Sequence, residues 1–116
     1  MPPLGQGQIV RAEVCDPQGG HRKLRPLVIV TATSEISDQE PLVGVAITSR
    51  FSEPLQDDEA LLPWHPAGNV RTKLRKPCVA KCSWLCQIIV TEVVEQRGIV
   101  PREQMQEIVA RINSLS

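Results

Sequence analysis

Short apolar segments predict a strand-rich body in the first half of the chain. Val10, Ala12 and Val14 alternate with Arg11, Glu13 and Cys15, which is the period-two pattern of a half-buried strand. Residues 27–30 and 42–47 are almost continuously apolar, as strands covered on both faces are. The polar stretch between these two runs predicts a loop. At least three strands are therefore expected before residue 50.

The second half predicts further strands and then a helix. Residues 59–64 are predicted to be an edge strand, because Pro63 lacks the backbone donor that a central strand needs. Residues 78–84 alternate, and residues 87–93 form another apolar run. The alternation assigns two faces: Cys78, Ala80, Cys82 and Trp84 on one, and Val79, Lys81 and Ser83 on the other. From Pro101 to residue 115 the apolar residues follow helical spacing, which predicts an amphipathic C-terminal helix.

Together these elements predict a mainly β fold in one domain that spans residues 1–116. The expected architecture is a small, strongly curved antiparallel sheet with the C-terminal helix packed on it. A chain of 116 residues can bury a single core but is too short for two domains. Aromatic residues make up only 3% of the chain, so its packing must depend on aliphatic side chains.

Charge is balanced overall but uneven along the chain. Lysine plus arginine and aspartate plus glutamate both number 13. Residues 35–59 hold seven acids and one base, whereas residues 71–81 hold five bases and no acid. Those bases, with the basic residues around Arg22, would form a local positive surface that attracts a phosphate backbone. The alternative is that they are solvated loop charges.

The cysteines and the N-terminus indicate a reduced, cytoplasmic protein that needs no cofactor. The first residues lack the apolar run of a signal peptide, and no stretch approaches the ~20 apolar residues of a membrane span. The thiols at Cys15, Cys78, Cys82 and Cys86 are then expected to be free. Structural zinc sites favour a closer Cys-x2-Cys spacing, so no metal is predicted and the last three are interpreted as small half-buried side chains in a strand region.

The order of motifs between residues 7 and 49 carries a family resemblance. A strand beginning Gly7-Gln8-Ile9-Val10 leads to the turn Asp16-Pro17-Gln18-Gly19-Gly20-His21, then to Arg25-Pro26 and an aliphatic strand, and then to a strand ending Ile47-Thr48-Ser49. This succession resembles the MazF/PemK/Kid family of toxin endoribonucleases from bacterial toxin-antitoxin pairs. The resemblance implies an SH3-like barrel with a C-terminal helix, which usually pairs as a homodimer.

The resemblance also implies an active site. Arg25 falls on the catalytic arginine of the family's Arg-Pro motif, and Thr48 falls on the threonine that lines the active site. An arginine fork can hold two phosphate oxygens, and the hydroxyls of Thr48 and Ser49 can donate to phosphate. His21 matches a histidine of Kid-like members and is the candidate base. Arg22 and Lys23 make the same loop more basic and are predicted to bind RNA.

One strand departs from the family pattern. Kid-like relatives have Arg-x-Asp where this chain has Lys81 and Ser83. Lys81 retains a positive charge without the bidentate geometry of arginine, and Ser83 cannot replace an aspartate as a base. Both are still predicted to contact RNA, but the proton acceptor is then His21 or an arrangement of hydroxyls and water.

Two functions remain in view from the sequence. The first is the toxin of a type II toxin-antitoxin pair, a metal-independent endoribonuclease that cuts single-stranded RNA at specific sequences by 2′-hydroxyl attack and is held in check by an antitoxin protein. The alternative is a catalytically impaired SH3-like barrel that binds a peptide or nucleic acid without cleaving it, which the missing carboxylate at Ser83 favours.

Overall fold

A computed structural model describes residues 4–15, 20 and 22–115 of the chain. Within them lie six strands and one α-helix, together with two single 3-10 turns at Thr33–Glu35 and Val90–Glu92. The elements are β1 (Gln8–Val14), β2 (Lys23–Ile29), β3 (Leu42–Thr48), β4 (Glu59–Leu61), β5 (Val79–Ile88), β6 (Glu95–Ile99) and α1 (Arg102–Leu115). The α-helix is too short and too polar to cross a membrane, as is every other helical turn in this part of the chain.

The strands form one antiparallel sheet in the order β4-β5-β3-β2-β1-β6. The predicted antiparallel fold with a C-terminal helix is confirmed, and β4 is an edge strand as Pro63 indicates. The sheet is strongly curved. This curvature is shown by a 3.2 Å hydrogen bond from the indole Nε1 of Trp84 on β5 to the carbonyl of Cys15, just after β1. Two strands separate β5 from β1 in the sheet order, so only curvature can bring them together.

Both faces of the sheet bury apolar side chains, which explains why the central strands are apolar at nearly every position. On one face α1 covers a core that includes Ile9, Val28 and Ile108. On the other face Val10, Leu27 and their neighbours form a second core inside the curve of the sheet. We call this second face the inner face. All five of these side chains have zero exposed surface.

Two features of the second half differ from the sequence prediction. The separate runs at residues 78–84 and 87–93 are not two strands, because β5 continues from Val79 to Ile88 and ends in a 3-10 turn. β6 was not predicted, because its residues Glu95–Ile99 are mostly polar and show no alternation. It is held by pairing with β1 and by the hydrogen bond from the amide of Ile99 to the carbonyl of Arg71.

A bulge in β5 corrects the predicted face of Trp84. Val45 of β3 pairs with Leu85, but Ile47 pairs with Ala80, so the residues between Ala80 and Leu85 have too few partners and loop away from β3. Cys82 therefore packs under α1, whereas Trp84 packs against the inner-face core.

The same bulge separates the thiols. Cys78 and Cys82 are buried on the helix side and Cys86 on the inner face, all three more completely than the half-buried state that the sequence indicated. The four cysteines are free. No set of three possible metal ligands converges within residues 4–15 and 22–115.

Candidate active site

Arg25 and Thr48 lie on the same face of neighbouring strands, at the same end of the sheet. Leu27 of β2 pairs with Ala46 of β3, and both side chains belong to the inner-face core. The paired part of β2 and β3 ends at Leu27 and Ala46. Arg25 is two residues before Leu27, and Thr48 is two residues after Ala46, so both side chains leave on the inner face just beyond the last pair. Alternation along the two strands therefore places both residues at the same end of this face.

Trp84 supports the guanidinium of Arg25. The Arg25 Cζ lies 4.9 Å from the centroid of the Trp84 ring, which is the geometry of a cation-π contact. The Arg25 Nε is buried and has no hydrogen-bond partner among the described residues. The indole is itself fixed by its bond to the carbonyl of Cys15. The face of its ring therefore holds the guanidinium without occupying the N–H groups of Arg25. Those donors remain suited to an anionic ligand.

The hydroxyl of Thr48 is held but keeps its own proton available. Its Oγ1 accepts a 3.0 Å hydrogen bond from the backbone N–H of Arg50, a local turn that is common at strand ends. A hydroxyl that accepts one bond can still donate through its O–H. Ser49 follows in an exposed bend beside it.

Lys81 and Ser83 meet carboxylates from the neighbouring strand β4 and from the residue before it. The Lys81 ammonium lies 3.2 Å from Oδ2 of Asp58 and 3.4 Å from Oε2 of Glu59, and it donates to the amide oxygen of Gln56 at 3.2 Å. The Ser83 hydroxyl donates a 2.5 Å hydrogen bond to Oδ2 of Asp58. Ser83, which stands where Kid-like relatives have an aspartate, therefore has the carboxylate of Asp58 beside it.

Register links this group to Thr48. Thr48 pairs with Val79 of β5, and the β4–β5 pairing runs from Leu61–Val79 to Glu59–Lys81, so Lys81 leaves on the same face as Val79 and Thr48. The inner face thus carries an arginine, a threonine and a lysine, with the carboxylates of Asp58 and Glu59 bound to the lysine.

The pKa values of Asp58 and Lys81 shift in opposite directions. Burial alone would raise the pKa of Asp58, but the hydrogen bonds from Ser83 and Lys81 and the positive charge of Lys81 outweigh it, so the pKa lies below its usual value. Burial alone would lower the pKa of Lys81, but its bonds to Asp58 and Glu59 and their charges raise it above its usual value. Both groups are charged at neutral pH.

An open cavity of about 310 Å³ borders Trp84. It lies between the end of β1 and the second half of β5, and its walls include Glu13, Cys15, Gln87 and Glu92 as well as Trp84. Arg22 lies at this cavity, where its Nη2 donates to the carbonyl of Glu13 at 3.0 Å and lies 3.6 Å from a carboxylate oxygen of Glu92. Lys23 is exposed at the start of β2.

The structure brings together most of the residues that the sequence singled out. Arg25, Thr48 and Lys81 share one face, Ser49 directly follows Thr48, and Ser83 binds Asp58 beside Lys81. His21 and most of the preceding turn lie outside the described residues. Sequence reasoning missed Asp58 and Trp84 as members of the site. The acidic run at residues 57–59, directly before the predicted edge strand, was the available signal for Asp58.

Comparisons with known proteins agree with this architecture. The model of the family described as PemK-like, MazF-like toxin of type II toxin-antitoxin systems matches residues 5–116. A comparison of the sequence with curated proteins finds no significant match.

Solved structures match over nearly the whole chain. A MazF structure from Deinococcus radiodurans has a TM-score of 0.76 at 19% identity, covering 99% of this chain and 97% of that one. A MazE-MazF structure from the same organism has a TM-score of 0.72 at 16% identity, with coverages of 99% and 96%. An endoribonuclease in complex with its cognate antitoxin, from a mycobacterial species, has a TM-score of 0.71 at 15% identity, with coverages of 96% and 92%. At these identities the structural matches establish the fold.

Proposed function

The chain belongs to the family of PemK-like, MazF-like toxins of type II toxin-antitoxin systems, and we propose that it is a metal-independent endoribonuclease that cuts single-stranded RNA at specific sequences. The observation that carries this proposal is the position of Arg25 and Thr48 on the inner face, just beyond the last β2–β3 pair, Leu27–Ala46. A cation and a hydroxyl donor at the same end of one face are what a phosphodiester needs when extra negative charge develops on it.

The proposed reaction is attack of a ribose 2′-oxygen on the adjacent phosphorus. The O2′–P bond forms, the P–O5′ bond breaks, and the 2′-proton passes to a base while the leaving 5′-oxygen takes up a proton. The products are a 2′,3′-cyclic phosphate and a 5′-hydroxyl. No metal is required, because Arg25 can supply the charge stabilisation and side chains or water can move the protons.

Arg25 and Thr48 are assigned to the transition state. The guanidinium binds two non-bridging phosphate oxygens, and the cation-π contact at 4.9 Å from Trp84 fixes its orientation before the substrate arrives. The Thr48 hydroxyl donates to the same phosphate, since its Oγ1 is already positioned by the amide of Arg50. Interactions that are fixed in advance stabilise developing charge without reorganising during the reaction.

Single-stranded RNA is the expected substrate. A duplex hides the base edges and holds the 2′-hydroxyl away from in-line attack. We propose that the cavity beside Trp84, with Arg22 in its wall, receives a splayed base, and that Lys23, Ser49, Lys81 and Ser83 bind the strand outside it. His21 is proposed as a catalytic residue from the family resemblance.

Two protein partners are proposed as well. A structural neighbour is an endoribonuclease in complex with its cognate antitoxin, which supports an antitoxin as the inhibitor of this chain. A homodimer is supported by large apolar side chains that stay exposed, such as Leu61, Trp64 and Leu85 at 46%, 40% and 49%. Both interactions are expected in the cytoplasm. Sedimentation equilibrium at micromolar concentration tests the homodimer: a single species of monomer mass would contradict it.

Cleavage of a defined RNA pool in excess EDTA tests the proposed activity. We expect cuts at a common short sequence, with cyclic phosphate ends, and no cut where the attacking nucleotide is replaced by its 2′-deoxy form. The matched control is the same oligonucleotide with a 2′-deoxy nucleotide two positions away, which should be cut normally. Cleavage of the fully deoxy strand, or cleavage that requires added Mg²⁺, would contradict the proposal.

One observation favours the second candidate function, a barrel that binds nucleic acid or peptide without cutting. Lys81 is already neutralised by Asp58 and Glu59, so it offers less charge to a phosphate than a free lysine would. RNA that is bound but remains intact over hours in the same assay would support this reading.

A further inference from the structure

We propose that Asp58 is the proton acceptor of the cleavage reaction, supplied by the segment before β4 rather than by β5. This inference depends on the proposed endoribonuclease activity. The sequence did not connect Asp58 with the site. Because Ser83 cannot act as a base, the group that receives the 2′-proton has to come from elsewhere, and Asp58 is our assignment.

The contacts of Asp58 hold its carboxylate beside Lys81 and Ser83. Oδ2 accepts from the Ser83 hydroxyl at 2.5 Å, and Oδ1 accepts from the Lys81 ammonium at 3.3 Å. The backbone is fixed too, because the carbonyl of Asp58 accepts a 2.6 Å hydrogen bond from the amide of Cys82. A carboxylate that is held at both its side chain and its backbone is oriented before substrate arrives.

The bulge in β5 creates these contacts. Opposite Ala46, residues 81–84 leave the pairing with β3, and Ser83 turns toward Asp58 instead. Bulges often occur beside active sites, where they redirect side chains. The hydroxyl of Ser83 therefore acts as a positioning group for a carboxylate from another segment.

Asp58 is better suited to this role than its neighbour Glu59. Both oxygens of each carboxylate have protein partners, but the side chain of Glu59 is only 6% exposed. The side chain of Asp58 is 15% exposed, so substrate can reach it. The other charged groups that face this pair are Lys81 from β5 and, from α1, Arg111, which binds the carbonyl of Asp57.

Lys81 links Asp58 to Thr48. Thr48 pairs with Val79, Lys81 lies two residues beyond Val79 in β5, and Asp58 binds the Lys81 side chain. In the proposed step the 2′-hydroxyl proton passes to Asp58 as the O2′–P bond forms, and the leaving 5′-oxygen takes a proton from water. The carboxylate of Asp58 is ionised at neutral pH, because its bonds from Ser83 and Lys81 lower its pKa.

Single-turnover cleavage of a fluorescent RNA at saturating enzyme tests this assignment, with Asp57→Asn as the matched control. Asp57 is exposed, and its change to asparagine alters size and charge in the same way as the change at Asp58. We expect Asp58→Asn to lower the rate at least ~100-fold, as loss of a general base does, with the RNA Kd changed less than ~3-fold. Asp57→Asn should stay within ~2-fold of the parent.

A double variant guards against a purely structural effect. Asp58→Asn combined with Ser83→Asp places a carboxylate on β5, next to the position of the lost Asp58 carboxylate. We expect this double variant to recover at least ~10-fold of the lost rate.

The pH profile gives a second readout: with Asp58 as acceptor the rate is flat between pH 5 and 8, whereas a histidine base gives a rise near its usual pKa of about 6.5.

The outcomes separate the two proposals. If the parent cuts RNA and Asp58→Asn cuts at the same rate, the assignment of Asp58 is overturned while the endoribonuclease stands. A rate that rises between pH 6 and 7 and vanishes in His21→Gln overturns it in favour of His21. If the parent does not cut RNA at all, both proposals fall.

Discussion

The guanidinium carbon of Arg25 lies 4.9 Å from the ring centroid of Trp84, two residues whose strands, β2 and β5, are separated by β3 in the sheet. The contact exists because the sheet curves and because the bulge in β5 turns Trp84 to the inner face. It gives the arginine a fixed orientation, although its Nε has no hydrogen-bond partner in the part of the chain that the structure describes.

Replacing Trp84 tests this orientation. Trp84→Leu should lower the single-turnover cleavage rate by about 2- to 30-fold, which corresponds to the ~0.5–2 kcal/mol of a cation-π contact. Trp84→Phe keeps an aromatic face and should recover most of that loss, although it gives up the bond to the carbonyl of Cys15.

The control for Trp84 is Trp64→Leu, since Trp64 is 40% exposed and belongs to the loop after β4. Its variant should cleave at the parent rate when assayed at a concentration well above any dimer dissociation constant. Equal rates for Trp84→Leu, Trp84→Phe and the parent would show that the ring does not position Arg25.

The pair Asp58–Lys81 predicts a specific pH dependence of stability. The pKa of Asp58 is lowered from 3.8 in the folded state, so its contribution is present above that value and is lost as pH falls through the folded pKa. The pKa of Lys81 is raised from 10.5, so its contribution is complete below that value and is lost as pH rises through the raised pKa. The pair therefore stabilises the fold most between these limits.

Urea denaturation of the parent and of Asp58→Asn at pH 6, 4 and 3 measures the acid side of this dependence. We expect the difference in free energy of unfolding between the two proteins to shrink as pH falls, with Asp57→Asn showing no such change. A difference that is constant from pH 6 to 3 would mean that the carboxylate of Asp58 is not favoured by its surroundings in the folded state.

The thiols are expected to differ sharply in reactivity. Burial raises the pKa of Cys78 and Cys86, and raises that of Cys82 to about 11, so their reactive thiolate forms are scarce near pH 8. Cys15 is only half-buried and lies at the cavity. Labelling of the native protein with Ellman's reagent should show one fast thiol that disappears in Cys15→Ser, and four thiols after denaturation. A fast phase that persists in Cys15→Ser would contradict the burial of the others.

Gly98 marks a close approach that β6 depends on. A Cβ placed at Gly98 would overlap the backbone of Arg71 and Thr72, and backbone cannot move aside as a flexible side chain can. Gly98→Ala should therefore destabilise the fold by at least ~2 kcal/mol, as overpacking does. Gly5→Ala, whose Cβ would meet only Thr33 at ordinary contact distance, is the control. Similar melting temperatures for the two variants would contradict the packing of β6.

How far the sequence predicts this fold depends on how local each signal is. β1, β2, β3 and α1 follow from alternation, apolar runs and helical spacing, because each buries a face that its own residues reveal. β6 does not, because the position of Glu95–Ile99 is fixed by pairing with β1 and by Arg71, both distant in sequence.

The candidate site divides in the same way. Arg25 and Thr48 are found because they end apolar strands and match a motif order, and the β2–β3 register is a consequence of the adjacent strands. Asp58 and Trp84 are not, because their roles depend on a bulge in β5 that no local pattern marks.

The most direct test of the account is the single-turnover cleavage rate of the parent, Arg25→Ala and Arg97→Ala in excess EDTA. Arg97 is a matched control, because it is exposed on β6 and forms a surface ion pair with Glu95 at 3.4 Å. We predict cleavage by the parent, a rate at least ~100-fold lower for Arg25→Ala, and a rate within ~2-fold of the parent for Arg97→Ala. Equal rates for the two arginine variants, or no cleavage by the parent, would contradict the central claim.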